Sequence, residues 1–464
     1  MGQQNQGSSI LFEPFKIKSV EKLHLSTPKQ RRLWIEEAGY NVFSLTSEQV
    51  VIDLLTDSGT AAMSDEQWSE MIKADESYAG SRNFLELEKT AREITGMEFI
   101  LPVHQGRAAE HLLFSTILKE GDIVPSNSHF DTTLANIEDC GAQGINLPTE
   151  EGTSPFLKHP FKGNMDVDKL KDLLEQKGER IPAVMMTITN NTGGGQPVSM
   201  KNLEAVSSLA RQYGKPLIID ACRFAENSYF IKKREEGYKD YTPAEIARKI
   251  FSLCDIVTFS GKKDALSNIG GLLCLRDREL VDKLKTKLIV TEGFPTYGGM
   301  AGYSLAAMNQ GLKEVLDEGY LKYRLRTIEW MVERLEAAQV PVLVPAGGHA
   351  IYIEASKFFP HIPRENFPGI TLTTELYIRG GIRGCELGTV AFGKRDKDGN
   401  HIFPPLDLVR LAVPRRVYTE AHMGYVVECI KEIYSERGRC NGFEFDVEYP
   451  IMRHFRSTFK PITA

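Results

Sequence analysis

Between Met97 and Phe259 short apolar runs alternate with longer segments whose apolar residues recur every three or four positions. The runs predict strands at Met97–Pro102, Asp122–Pro125, Ala183–Thr189, Pro216–Asp220 and Ile256–Phe259. The longer spacing predicts helices at Ala108–Leu118, from Asp131 to Gly141, and at Lys169–Gln176, Asn202–Tyr213 and Pro243–Leu253. Such alternation implies a mostly parallel sheet with ligands at the carboxyl ends of its strands, and a polar or glycine-rich loop stands at each of those ends. Upstream, Thr27 and Pro28 open a helix to Ala38, Val50–Leu55 reads as a strand, and Ser64–Lys73 and Phe84–Thr95 read as helices. Pro14–Val20 alternates briefly, and Gly2–Ser9 is a Gln/Gly/Ser tail expected to be disordered. Beyond Gly298-Gly299 the pattern changes. A long helical stretch with breaks covers Tyr303–Ala338, followed by strands at Val342–Val344, Ala350–Ile353 and Asp407–Ala412 and helices at Leu372–Arg379 and Glu420–Ser435. The fold class expected is α/β: a large domain around the sheet, plus a smaller α+β domain packed with the N-terminal segment.

A chain of 464 residues is too long for one core, which agrees with two domains. Composition is ordinary, and the net charge of −6 argues against a nucleic-acid footprint. No apolar run is long enough to span a bilayer, and Met1–Ser9 lacks a signal core, so neither membrane insertion nor secretion is expected. The seven cysteines are scattered without a C-x-x-C pair, which suits buried thiols in a reducing cytoplasm.

The polar loops carry the chemistry. Ser260-Gly261-Lys262-Lys263 follows the last strand of the alternating region, where a lysine beside a second cation can serve as an amine nucleophile. A basic surface turn would look the same in isolation. His104-Gln105-Gly106-Arg107 combines close backbone approach, a helix N-terminus and a guanidinium, the makings of a phosphate cradle or of an ordinary loop. Asp220 ends a strand, with Arg223 just beyond; an acid there can pair with a protonated ring nitrogen. The lysine of a pyridoxal phosphate (PLP) enzyme would then stand one helix and one strand further on, about 40 residues, where Lys262 and Lys263 lie. Asn190–Pro197 is a glycine-rich loop, Phe130 could stack on a ring, and Arg410 within an apolar strand needs an anionic partner, structural or substrate.

Taken together, I-D-L-L-T-D-S-G-T at Ile52–Thr60, D-E-S-Y-A-G-S at Asp75–Ser81, H-Q-G-R at His104–Arg107, G-G-Q-P-V-S-M at Gly194–Met200, S-G-K-K-D at Ser260–Asp264 and R-L-A-V-P-R-R-V-Y-T at Arg410–Thr419 resemble the β-eliminating lyases. The match runs over nearly the whole chain. The resemblance implies a PLP-dependent, aminotransferase-like (type I) fold, divided into an N-terminal arm and part of the small domain (1–63), a large cofactor-binding domain (64–316) and a small domain (317–464). It implies that Lys263 carries the cofactor and removes the α-proton, that Lys262, Ser260, Gln105, Gly106 and Arg107 hold the phosphate, and that Phe130 stacks on the ring. Asp220 would pair with the ring nitrogen, Asn191 and Arg223 would contact the ring oxygen, and Arg410 would bind the substrate carboxylate with Asn191, Thr56 and Ser58 nearby. Tyr78 is the expected proton donor, reaching in from another subunit of a cytoplasmic homotetramer, and Glu76 with the carbonyls of Gly59 and Asn268 is the expected potassium (K+) site.

Three positions separate the indole-releasing members of the family from the phenol-releasing ones. Asp131 after the stacking Phe, Leu387 where the phenol-releasing pattern has Arg, and His454 where it has Phe all favour indole. The expected reaction is therefore elimination of indole from L-tryptophan, leaving pyruvate and ammonia. The alternatives are phenol release from tyrosine and elimination from another β-substituted amino acid, such as cysteine or its S-conjugates. Two features depart from that pattern: the wording of S-G-K-K-D with N-I-G-G-L is nearer the phenol-releasing one, and Phe294 stands where smaller or more flexible residues are common and is expected to reshape the leaving-group pocket.

Overall fold

The apolar runs of the first half build one seven-stranded sheet. Its strands are β1 (Phe99–Val103), β2 (Ile123–Ser126), β3 (Gln143–Asn146), β4 (Val184–Thr187), β5 (Leu217–Asp220), β6 (Ile256–Ser260) and β7 (Gly271–Leu275), in the spatial order β1-β7-β6-β5-β4-β2-β3. All neighbours are parallel except β7, which runs antiparallel to both β1 and β6. β2, β4, β5, β6 and β7 are buried along their whole length, which is why they read as continuous apolar runs rather than as alternation. Successive residues feed opposite faces: Val184, Met186, Ile219 and Val257 enter one core, and Met185, Ile218 and Ile256 the other. The structure, a computed structural model, describes residues 12–450 and 452–462; the tail at Gly2–Ser9 lies outside the described residues.

The helices of eight residues or more are α1 (Pro28–Glu37), α2 (Asp65–Ile72), α3 (Arg82–Thr95), α4 (Gly106–Ile117), α5 (Asp131–Asp139), α6 (Val167–Lys177), α7 (Met200–Gln212), α8 (Phe224–Arg234), α9 (Pro243–Ser252), α10 (Arg278–Thr291), α11 (Gly302–Glu314), α12 (Glu318–Ala337), α13 (Pro368–Gly380) and α14 (Glu420–Glu436). Their starts follow local chemistry. Thr27 with Gln30 and Thr242 with Glu245 form capping boxes ahead of a proline, and the side chains of Ser199, Asp277 and Asp317 accept backbone N–H groups at the starts of α7, α10 and α12.

A second sheet is antiparallel: β8 (Ala350–Glu354), β9 (Cys385–Leu387) and β10 (Leu408–Ala412), in the order β9-β10-β8. Its core joins α12, α13 and α14 and recruits Ile52 and Leu54 from the N-terminal segment, whose Ile52–Asp53 pairs in parallel with Ile382–Arg383. All seven cysteines are free. No helix among the described residues is long and apolar enough to cross a membrane.

Several expectations need correction. Val342–Val344 is not a strand: only Val342 bridges to Ile353, because Pro341 and Pro345 remove the N–H groups a ladder would need. Val50–Leu55 shrinks to the two paired residues Ile52 and Asp53, and the alternation at Pro14–Val20 builds no strand. The Tyr303–Ala338 stretch is helical with a break, as expected, α11 and α12 parting before Glu318. α8, α10 and β3 were not expected. α8 buries Glu226, Asn227 and Ser228 alongside Phe224 and Phe230, so it shows no apolar stripe.

Ile219, fully buried at the centre of β5, reports on this architecture. Ile219→Ala should cost about 2–5 kcal/mol in denaturant unfolding of the cofactor-free chain, with the secondary structure retained by circular dichroism.

Candidate active site

Five of the sheet's strands end at one cleft with about 640 Å³ of atom-free space, its open mouth included. The loop from β1 contributes Gln105, Gly106 and Arg107; that from β2 contributes Phe130; β4, β5 and β6 deliver Asn191, Asp220 with Arg223, and Ser260 with Lys262 and Lys263. Ser58 completes the wall. The residues expected to hold the cofactor or stack on it thus all come from strand ends, as the parallel topology requires.

The cradle at α4 is tight. A Cβ on Gly106 would lie 2.9 Å from the Cβ of Ser260, and one on Gly271 would lie 2.6 Å from the carbonyl carbon of Gln105. Only glycine lets this loop seat against the ends of β6 and β7. The first N–H groups of α4 have no partner inside the helix and open onto a cleft that also holds Arg107 and Lys262. Burial lowers the pKa of Lys262, and the charges of Lys263 and Arg107 lower it further. Lys263 sits on the single helical turn Gly261–Asp264 directly after β6, with Nζ 5.8 Å from the centroid of the Phe130 ring. Asp220 Oδ1 accepts the Cys222 N–H at 3.1 Å. The hydroxyls of Thr187 and Thr258 line the cleft, buried and without a partner. A helix end with two cations, the ring of Phe130, a carboxylate at a strand end, a lysine and orphaned hydroxyls together fit pyridoxal phosphate.

Beside this floor lies a second polar group. Arg410, on β10, donates to Asn191 Oδ1 at 2.7 Å and to the Leu55 carbonyl at 2.7 Å, and its Nε is buried without a partner. Asn191 Oδ1 also lies 3.0 Å from His349 Nε2 and accepts from the Tyr352 hydroxyl at 3.1 Å. Arg223 lines the cleft while two of its nitrogens hold Asp57 at 3.0 and 2.7 Å. Thr56 Oγ1 accepts the Ser58 N–H at 3.1 Å, which shapes the loop that brings Ser58 to the wall.

The residues expected to meet the leaving group come from separate elements. Asp131 begins α5; burial raises its pKa against the pull of Arg410, Arg107 and Lys263. Leu387 is buried at the end of β9, opposite Leu408. His454 packs on Phe43 and Phe455, and burial with the charges of Arg410 and Arg453 pushes its pKa down to about 4, so the ring is neutral near pH 7. Tyr78 and Phe294 do not line this cleft. Tyr78 is 68% exposed and its ring lies 5.6 Å from that of Phe294 and 5.1 Å from that of Tyr297. Of the three expected potassium-site residues, Gly59 and Asn268 meet, the Asn268 side chain donating to the Gly59 carbonyl at 3.0 Å. Both carboxylate oxygens of Glu76 accept N–H groups at the start of α11, from Gly302 at 2.8 Å and Tyr303 at 3.1 Å.

A family model described as "Beta-eliminating lyase" matches residues 53–429. A tryptophanase of Hyphomonas neptunium is 53% identical over 450 residues, 97% of this chain and 99% of that protein. The chain belongs to the β-eliminating lyase family. A tyrosine phenol-lyase of Pasteurella multocida is 44% identical over 97% of the lyase chain and 98% of its own length. Among solved structures, a Sphingomonas wittichii serine palmitoyltransferase superposes with a TM-score of 0.61 at 11% identity, covering 89% of the lyase and 97% of that chain, which is a likeness of fold. The lyase has the PLP-dependent, type I α/β architecture.

Sequence reasoning missed the lyase's buried charge cluster. Arg415 donates to Asp57 Oδ2 at 2.9 Å, to Glu226 Oε1 at 3.0 Å and to Asp264 Oδ1 at 3.0 Å, with no exposed side-chain surface on Arg415 or Asp264. Arg324 joins through Glu226 at 3.2 Å. Burial pushes the Asp57 carboxyl up, but Arg223, His349 and Arg415 outweigh it and hold it well below the usual carboxylate range. Burial raises Asp264 to about 7 despite Arg415. The only sequence signal was the second arginine of R-L-A-V-P-R-R, which looks like a surface pair. Arg415→Leu leaves three buried carboxylates without their common partner, so urea unfolding should show a loss of about 3–5 kcal/mol. A loss below about 1 kcal/mol would show that the cluster readily rearranges.

Proposed function

We propose that this lyase eliminates indole from L-tryptophan, yielding pyruvate and ammonia, with PLP held in the cleft. The observation that carries the reading is the meeting of Lys263, Asp220, Phe130 and the Gln105–Arg107 cradle in one cleft, with Arg410 and Asn191 at its side. The identity to the tryptophanases, 53% and 48% for those of Hyphomonas neptunium and Salinibacter ruber, supports tryptophan over tyrosine. So does the apolar Leu387, which offers an indole ring contact without a charge. When bound, PLP takes up the electron pair left at Cα as the proton departs.

The chain's own residues do the rest. The first turn of α4, Arg107, Ser260 and Lys262 hold the phosphate, and Asp220 holds the ring nitrogen protonated. Arg410 grips the substrate carboxylate with Asn191, fixing Cα near Lys263, whose Nζ anchors the cofactor and then accepts the α-proton. The indole carbon bearing the side chain must gain a proton to leave. We assign that donation to Tyr78 of the partner subunit, because within its own chain Tyr78 is exposed and stands beside Phe294, away from the cleft lining. Phe294 then belongs to the same cross-subunit wall. Asp131 and neutral His454 order the indole side of the pocket. We further propose a cytoplasmic homotetramer, the division into segments 1–63, 64–316 and 317–464, and a potassium ion held by the carbonyls of Gly59 and Asn268 with Glu76. The meeting of Gly59 and Asn268 favours the ion site, and the recruitment of Ile52 and Leu54 into the second core favours the division.

With purified protein and added PLP, indole release from tryptophan should exceed phenol release from tyrosine, and Lys263→Ala should lower both by about 10³-fold or more. Phenol release above indole release would overturn the assignment of substrate. Combining His454→Phe with Leu387→Arg should weaken indole release far more than elimination from an S-alkyl cysteine, whose thiolate leaves without protonation of a ring carbon. Equal losses on the two substrates would make those residues general supports rather than selectivity determinants.

A further inference from the structure

One buried acid in the cleft has no part in the reaction outlined above. Glu110, on α4, lines the cleft together with Asp220, Phe130 and Thr132 and is only 5% exposed. Its Oε1 accepts a short hydrogen bond from the Thr133 hydroxyl, and its Oε2 accepts one from Thr132 Oγ1 at 3.4 Å. Those threonines form the first turn of α5, directly after the stacking residue Phe130 and beside Asp131. One carboxyl group thus fastens the helix that carries the phosphate cradle to the helix that carries the ring platform.

We propose that Glu110 is a positioning residue of the cofactor site: it fixes the first turn of α5, and with it Phe130 and Asp131, and its proton sets how many negative charges share the floor of the cleft. The charged groups that face it are Asp220 from the end of β5, Asp131 from α5 and Lys263 from the turn after β6; Arg107 stands one turn earlier on its own helix, and the thiol of Cys222 lies within reach of its charge. Burial, reinforced by Asp220, pushes the Glu110 pKa up to about 8, against the Thr133 hydrogen bond and Lys263. At pH 7 the group is therefore neutral, and Asp220 faces the ring nitrogen without a second anion from Glu110. As the pH rises through about 8, Glu110 ionises and adds a negative charge to a site that receives an anionic cofactor, so affinity falls.

The inference rests on the PLP reading, and the test separates the two. Equilibrium PLP binding to the cofactor-free protein is measured between pH 6.5 and 9.5 for the native chain, Glu110→Gln and Glu110→Ala, with the circular dichroism of bound PLP reporting how the ring is seated. The native chain should lose about three- to tenfold in affinity across pH 8 relative to Glu110→Gln, which keeps both hydroxyl contacts but cannot ionise. At pH 7 Glu110→Gln should bind like the native chain, while Glu110→Ala should bind about tenfold more weakly with an altered dichroic band. A merely structural glutamate would not tie the pH profile to the Gln variant. Superimposable pH profiles for the native chain and Glu110→Gln would overturn the proposal, as would native affinity and dichroism in Glu110→Ala. A native chain that binds no PLP at any pH would overturn the lyase reading itself, and this inference with it.

Discussion

Arg415 brings together segments that are far apart in sequence. Asp57 comes from the loop that supplies Ser58, Glu226 from α8, and Asp264 from the turn that carries Lys263, while Arg415 itself lies just past the strand that carries Arg410. Removing these groups from water costs several kcal/mol each, and only mutual pairing with good geometry offsets it. That cost constrains position: each segment can move only if its charge moves with its partners. The loop before the cleft, the turn of Lys263 and the strand of Arg410 therefore share one mechanical reference, although no two belong to the same element. Thr189, held at a φ of 51° where a β-branched residue is strained, stands beside this region with its hydroxyl on the Arg223 carbonyl and Asn227.

Charge in the cleft is sorted by depth. The cations Arg107, Lys262 and Lys263 lie on loops and helix ends at the carboxyl edge of the sheet. The acids Glu110 and Asp131 are held by burial toward their protonated forms, while Asp57, further inside, is kept ionised by arginines. Neutral His454 adds no charge near Arg410, so the guanidinium keeps its positive field beside an uncharged ring.

The alternating pattern of the first half was legible because β2, β4, β5 and β6 are buried along their whole length and alternate with helices. The floor of the cleft was legible for a related reason, since Gln105–Arg107, Asp220 and Lys263 all stand at strand ends. What sequence reasoning missed is polar and buried. α8 hides Glu226 and Asn227 where a surface helix would bury leucine, and Glu110 reads as an ordinary exposed helix position one turn past the cradle. Arg415, His349 and Tyr352 act through partners more than 150 residues away, and no local periodicity encodes such pairs. Leu387 and His454 were found only because they mark a choice within a family; neither has a contact that would single it out.

The pairing of Arg410 with Asn191 has a consequence for what the cleft will admit. Two of the guanidinium's nitrogens already have oxygen partners at 2.7 Å, and Asn191 is braced from behind by His349 and Tyr352. In the proposed reading an incoming carboxylate meets a guanidinium already held in place with its Nε–H still without a partner, so little ordering is left for binding to supply. On that reading the receptor is set before the substrate arrives. A carboxylic acid without an amine would then meet only the arginine, whereas an amino acid would also reach Lys263.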